Sequence, residues 1–490
     1  MKFLVYMFFL FSSLNAFSKV NDHFVYNKSY FNSKSDIKLL STKGMPAVPA
    51  KSYILSTALN EQPLVDIKRS WRKSNIKSKW FISNGQKCRC REEISTINVE
   101  VNNFSAKHDI FYLGDFRGEH LYKITIPLIK IENGQEYFLE SFNISSDNFK
   151  HFKTSRYLFE NNEIVIVLPT EFSSTIELIK KYYEKKFGTV SFVTDPVITS
   201  NRKKLSQHLE ALFHKRGIEH VLFVGNSNFV PTYYVETKFD SVTPSDYPYF
   251  KFGGNKDLIP DVIGSRWSFS NPEQIKGFIK KLNNRVSPDN VISLGVSSNE
   301  GSNPSDKEYV DSILNLISSQ KYRTHYNQDD DNSNSSSFLN ILNQGVDLFN
   351  YIGHGTGFSW PSFGKEVLIS ELESWAPNKR NPIIIDVACQ NGKFNGRGYI
   401  GEVMVSGHQK YDFRNGAAAY IGGSVDISWD PPAIFAQGMA RALGNDENLP
   451  VGEAMFRGFF HLMEMHHDIE DFVDHLEWTH LQGDPTASIK

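Results

Sequence analysis

Asn350-Tyr351-Ile352-Gly353-His354-Gly355-Thr356-Gly357 and Ile383-Ile384-Ile385-Asp386-Val387-Ala388-Cys389-Gln390-Asn391-Gly392 each place a chemically capable side chain just past a short apolar run. Such a run, ending in Gly-His-Gly or Ala-Cys-Gln-Asn-Gly, reads as a buried parallel strand that stops in a sharp turn. Open α/β sheets bind their ligands at strand ends of this kind. His354 and Cys389 are 35 positions apart (389 − 354), room for one strand-helix-strand crossover, so they can stand on neighbouring strand ends. That placement suits a cysteine nucleophile with a histidine base. Taken singly, each has a plainer reading, the Cys as a small buried hydrophobe and the His as a satisfied polar group. Gly353, Gly355 and Gly357 tip the balance, because they let backbone approach a ligand, and the N–H groups of Gly355 and Cys389 can then hold an oxyanion.

Outward from these segments the chain alternates strand and helix. Ile164 to Leu168 reads as a strand, and Ser174 with Glu177 as a capping box opening a helix through Ile176, Ile179, Tyr183 and Phe187 that Gly188 ends. Strand Ser191 to Thr194, a helix carrying Leu205, Leu209, Leu212 and Phe213, and strand Val221 to Gly225 follow. A helix opened by Pro272, strand Val291 to Val296, a helix through Tyr309, Ile313 and Leu314, and strands at Leu348 to Ile352, Ile383 to Val387 and Ala417 to Ile421 complete an α/β layer with a parallel sheet. Residues 19–158 have another texture: alternating stretches at Ile97 to Val101, Leu121 to Ile131 and Tyr137 to Phe142, with turns such as Glu132-Asn133-Gly134, predict a smaller β-rich N-terminal domain. The polar, basic segment Ser145 to Asn162 (Lys150, Lys153, Arg156) is the expected join, exposed to proteolytic nicking at Lys153 or Arg156.

At 490 residues and 40% hydrophobic composition the chain can bury a large core in two or three domains. With 53 Lys+Arg against 55 Asp+Glu, nothing marks a nucleic-acid or anionic-membrane partner. Lys2, the apolar run Phe3 to Phe11, and Ala16-Phe17-Ser18 read as a secretory signal cleaved after Ser18, predicting a secreted or periplasmic product without a membrane anchor. The three cysteines, Cys88, Cys90 and Cys389, do not make a disulfide scaffold. Cys88-Arg89-Cys90 reads as a local disulfide or two free thiols rather than half a metal site, which leaves Cys389 as an odd, reactive thiol.

The ordered set of motifs resembles the gingipain family of cysteine peptidases, family C25. Besides the His and Cys segments it includes Val221-Leu222-Phe223-Val224-Gly225, Ser245-Asp246-Tyr247, Pro260 to Arg266, Ser297-Ser298-Asn299-Glu300-Gly301, Ser428-Trp429-Asp430-Pro431-Pro432 and Gly483-Asp484-Pro485-Thr486. The resemblance runs from about Ile164 to the C-terminus. It implies a caspase-like fold of two α/β subdomains, divided here near residue 288 (160–288 and 289–490), after a β domain that serves as a pro-domain in some members. It implies a secreted endopeptidase with no required cofactor acting on protein or peptide substrates, with Cys389 as nucleophile, His354 as base and Glu300 as the acid beside it.

Asp306 matches a pocket-floor carboxylate of the arginine-cleaving members and Trp429 an aromatic covering the substrate side chain, a sensible receptor for guanidinium or ammonium. The loop between Glu300 and Asp306 is shorter than in familiar members, so Asp306 reads equally as a helix N-cap or first-turn acid. Two other readings stay open: a non-catalytic binding protein on the same fold, and a transpeptidase acting on exported proteins, whose long C-terminal extension this sequence lacks. Asp329-Asp330-Asp331-Asn332-Ser333 reads as a solvated loop, since Asn334 and Asn340 stand where an EF-hand needs Gly and Glu, while the family leaves room for structural calcium elsewhere. His461, His466, His467, His475 and His480 lack metal-ligand spacing and read as the polar face of a C-terminal helix.

Overall fold

The computed structural model describes residues 18–23, 38–40, 48–58, 65–74, 80–81, 88–89, 98–146, 148–152, 159, 162–254, 256–301, 304–317 and 320–490. The signal segment up to residue 17, Cys90, and the predicted nicking sites Lys153 and Arg156 lie outside them.

Two larger antiparallel sheets, with a two-stranded one of Trp80–Phe81 and Asn98–Val99, make up the described N-terminal region. In one, Val48–Ala58 pairs with Glu119–Pro127, which pairs with Asp109–Phe116; in the other, Gln135–Ser146 lies between Ser18–His23 and Asp66–Lys73. Alternation puts Tyr53, Leu55, Ile124, Ile126, Leu139, Phe142 and Ile144 between the two sheets.

The rest is one sheet of ten strands flanked by helices: β1 (Glu163–Val167), β2 (Thr189–Val193), β3 (His220–Val224), β4 (Ile263–Trp267), β5 (Val291–Ser297), β6 (Gln320–Asn327), β7 (Leu348–Ile352), β8 (Ile383–Val387), β9 (Ala419–Gly423) and β10 (Thr479–Gly483). Their order across the sheet is β2-β1-β3-β4-β10-β9-β8-β7-β5-β6. Every pairing is parallel except β9 with β10. The sheet therefore passes the division near residue 288 without a break, and its change of direction falls at the β9/β10 seam. Continuous apolar runs such as Ile383-Ile384-Ile385 are buried on both faces, as parallel strands between helix layers require.

The flanking helices used below are α1 (Ile176–Tyr183), α2 (Asp306–Leu316), α3 (Asp430–Asn445), α4 (Val451–Met465) and α5 (Ile469–Trp478). The N-terminal region docks on α4: Phe116, Phe152 and Phe159 meet Phe456 and Phe460, and Lys123 donates to the His466 carbonyl.

Two expectations are corrected here. Ser174 and Glu177 do not form a capping box: α1 emerges from a 3₁₀ turn over Thr170–Thr175, whose Thr175 hydroxyl donates to the Phe172 carbonyl at 2.7 Å. Nor do the C-terminal histidines form a polar face, because His466, His467, His475 and His480 are buried between α4, α5 and β10. His466 is held by Asp471 at 2.9 Å, and burial lowers the His475 and His480 pKa values to about 3 and about 4.

Candidate functional site

Four loops leave the carboxyl ends of β5, β7, β8 and β9 and converge, carrying Glu300, His354, Cys389 and the Ser428-Trp429 corner. β7 and β8 are adjacent, with Ile352 opposite Val387, so the two following turns lie side by side. They are so close that a Cβ on Gly355 would meet the Cys389 carbonyl at 2.4 Å, which explains glycine there.

His354 is fixed from several sides. Its backbone N–H donates to Ser362 Oγ at 2.9 Å, its carbonyl accepts from the Tyr351 hydroxyl at 2.7 Å, and its ring Nε2 lies 2.7 Å from Glu300 Oε1. The Glu300 hydrogen bond raises the His354 pKa, and the same bond lowers that of Glu300. The ring also hydrogen-bonds the backbone of Arg89.

Cys389 is a free thiol, 1% exposed, whose sulfur accepts from the Ile427 N–H at 3.5 Å. Burial pushes the thiol up to about 12, with Asp426 adding to the rise and the Arg89 guanidinium opposing it. In this closed arrangement the group is held as thiol.

Arg89 occupies the adjoining pocket. Its Nη1 and Nη2 donate to Asp306 Oδ2 and Oδ1 at 2.8 and 3.0 Å, a bidentate pair with both side chains fully buried. Its Nε and Nη2 donate to the Trp429 carbonyl at 3.0 and 2.8 Å, and its guanidinium lies 4.7 Å from the Trp429 ring centroid. Ser298 Oγ donates to Asp306 Oδ2 at 2.7 Å and accepts from the Glu300 N–H at 3.0 Å, tying the pocket floor to the residue that holds His354.

Asp306 combines its two sequence readings. It is the first residue of α2, behind the Ser305/Glu308 capping box, and its carboxylate still points into the pocket. Main-chain pairing completes the seat: the Arg89 N–H donates to the Ile427 carbonyl at 2.8 Å, and Cys88 bridges Ser428 in antiparallel fashion. Two residues, Cys88 and Arg89, thus pair their main chain with the Ile427-Ser428 edge, the kind of backbone contact by which many peptides are bound.

Beneath the site Asp386 accepts from Trp360 Nε1 at 2.8 Å, Asn391 Nδ2 at 3.1 Å and the Tyr420 hydroxyl. Asn391 Oδ1 in turn accepts from the Gly357 N–H at 2.9 Å, so the His and Cys turns share one buried polar anchor. Burial raises the Asp386 pKa to about 6.

The set Cys88, Cys389 and Asp426 is the one group of three His, Cys, Asp or Glu ligand atoms within 4.8 Å of one another among the described residues. Its sulfurs do not suit calcium, which takes oxygen ligands. Asp330, in the acidic loop, is already engaged by the Asn327 N–H at 2.7 Å.

The structure brings together Cys389, His354, Glu300, Gly355, Asp306 and Trp429, all singled out from the sequence. Sequence reading missed Arg89, Ser298 and Asp386. Arg89 had a visible signal, an arginine between two cysteines, but nothing in the sequence said that it would cross to a pocket more than two hundred residues away. A thiol on the turn next to an imidazole that a carboxylate orients is a constellation suited to nucleophilic acyl transfer.

The model of peptidase family C25 matches residues 157–490. Gingipain R2 of Porphyromonas gingivalis is 24% identical over 375 residues, 70% of this chain and 48% of that protein. Gingipain R1 of the same organism is 23% identical over 517 residues, 92% of this chain and 50% of that protein. The chain spans about half the length of the curated relatives it matches. A solved structure of the Arg specific cysteine proteinase gingipain R superposes with TM-score 0.61 at 21% identity, covering 68% of this chain and 79% of that one. The complex of RgpB pro- and mature domains gives 0.59 at 21% identity, covering 66% and 79%. These two likenesses carry the fold, a caspase-like α/β architecture.

Proposed function

The chain belongs to peptidase family C25, and we propose that it is an exported cysteine endopeptidase that cleaves peptide bonds after arginine and is held latent by its own N-terminal region. The observation that carries this reading is the seating of Arg89: guanidinium on Asp306 under Trp429, backbone at His354, main chain paired with Ile427. An occupant bound by side chain and main chain alike is a template for the substrate. In this reading Cys389 attacks the carbonyl carbon of an arginine seated there, His354 takes the thiol proton and returns it to the leaving amine, and Glu300 holds the imidazole in place. The N–H groups of Gly355 and Cys389 receive the developing oxyanion.

Arginine is favoured over lysine because a planar fork satisfies both Asp306 oxygens at once, whereas an ammonium offers a point charge. The chemistry uses no cofactor, and the substrates are proteins or peptides. Export rests on the sequence of the first eighteen residues. Among the described residues no helix is long and apolar enough to cross a membrane.

The test compares fluorogenic substrates that differ only in the residue before the scissile bond, after the N-terminal region has been removed by limited proteolysis. Arg should exceed Lys by at least tenfold in kcat/KM, and apolar residues should be inert; preference for an apolar residue would overturn the pocket. Arg89→Ala in the full-length chain should turn over Arg substrates without the lag expected of wild type. Equal lags would detach Arg89 from latency. Glu300→Gln should be milder than loss of Cys389 or His354, about 10²-fold in kcat. Because the Glu300 bond is the largest cause of the raised His354 pKa, the pKa of His354 should fall in that variant. Titration of the His354 ring by NMR checks the direction.

A further inference from the structure

Cys88 is disulfide-bonded and Cys389 is free, yet their sulfurs lie within 4.8 Å of each other and of an Asp426 carboxylate oxygen. Cys88 is held there by its bridge to Ser428, and Arg89 beside it is locked into the pocket. Both cysteines are buried, at 5% and 1% exposure, so an external thiol meets neither before the segment moves. A disulfide sulfur has therefore been brought to the one free thiol among the described residues, beside the Cys88–Ser428 main-chain bridge. An S–S bond is about 2.05 Å long, so closing the gap needs an approach of less than about 3 Å.

We propose that Cys88 and Cys389 form a thiol–disulfide exchange site, through which the N-terminal region can cap the Cys389 sulfur covalently. The proposal rests on the reading of Cys389 as the nucleophile only for its consequence, not for its chemistry. In the exchange the Cys389 thiolate attacks Cys88 Sγ, a Cys88–Cys389 bond forms, and the existing disulfide of Cys88 breaks. The electron pair leaves on that disulfide's second sulfur, which takes up the proton given up by Cys389, so no external oxidant is consumed. Two equivalents of a small thiol reverse the cap, yielding both cysteines as thiols and the small disulfide.

Exchange runs through thiolate. Burial and Asp426 hold Cys389 as thiol, while Arg89 and the Ile427 N–H favour the anion. The groups facing the sulfur thus set a slow, base-accelerated step. The cap would make latency redox-sensitive as well as proteolytic: a chain matured under oxidising conditions would need both a thiol and removal of Arg89 to become active.

The full-length chain is incubated at pH 7 and pH 9, denatured in excess N-ethylmaleimide and digested with pepsin at low pH without reductant. Mass spectrometry should find a Cys88–Cys389 linked peptide that accumulates up to about tenfold faster per pH unit. It should disappear with dithiothreitol and be absent from Cys88→Ser and Cys389→Ala. Quantitative recovery of Cys389 as its N-ethylmaleimide adduct after long incubation at pH 9 would overturn the proposal. The wild-type time course alone decides this if a variant misfolds. The readout is covalent connectivity, so failure of the peptidase reading, seen as absence of hydrolysis, is a separate outcome.

Discussion

Cys389→Ala, freed of its N-terminal region, should lose essentially all hydrolysis of Arg substrates, a fall on the order of 10⁵ to 10⁶ in kcat, while its melting temperature stays close to wild type. Nucleophile and base act as one unit, so removing either forfeits most of the rate. His354→Ala should fall by a similar factor and the double variant by little more. The fold should tolerate the change because the Cys389 sulfur accepts a single long bond, from Ile427 at 3.5 Å, and the strand below it is fixed by β7 and β9. Turnover by Cys389→Ala at the wild-type rate would end the cysteine-peptidase reading. A collapse in melting temperature would instead assign Cys389 to the core.

The strands that lead into the site, β5, β7, β8 and β9, were legible because they are largely apolar runs. Leu348–Ile352 and Ile383–Val387 appear with the boundaries expected, and each ends in a turn whose glycines announce close approach. β4, β6 and β10 were not read as strands. β6, at the sheet edge, is polar along its length, while β4 and β10 carry polar side chains inward, Ser265 and Arg266 in β4, His480 and Gln482 in β10, so hydropathy is silent over all three. Two of these side chains find partners at long range: Arg266 donates to Asp246 and the Gly225 carbonyl, and the Gln482 amide N–H to the Gly392 carbonyl. A pattern confined to neighbouring residues cannot register partners of that kind.

The same reason hid Arg89. Among all the residues it touches, Asp306 and Trp429 are 217 and 340 positions away. What the sequence did hold was a candidate receptor, since a carboxylate and an indole at matching motif positions suit a guanidinium or an ammonium, although Asp306 read equally as the first acid of a helix.

Asp306→Asn should reduce kcat/KM for Arg substrates by well over tenfold, and by up to about 10³. The bidentate pair would keep one weak acceptor and one repelling amide, and breaking a desolvated charge pair costs ~2–5 kcal/mol. The loss should appear on both KM and kcat, since a guanidinium that no longer reaches the floor leaves the scissile carbonyl out of line with Cys389. In the full-length chain the identical substitution should act in the opposite sense on latency. Arg89 is held by the same two oxygens, so the lag should shorten and the melting temperature should drop as a buried guanidinium loses its partner. One pocket predicting weaker catalysis and weaker self-inhibition from a single atom change is a strong constraint. If Asp306→Asn spared Arg hydrolysis, Asp306 would be only the first acid of α2; if it impaired hydrolysis yet left the lag unchanged, Arg89 would not be what keeps the chain silent.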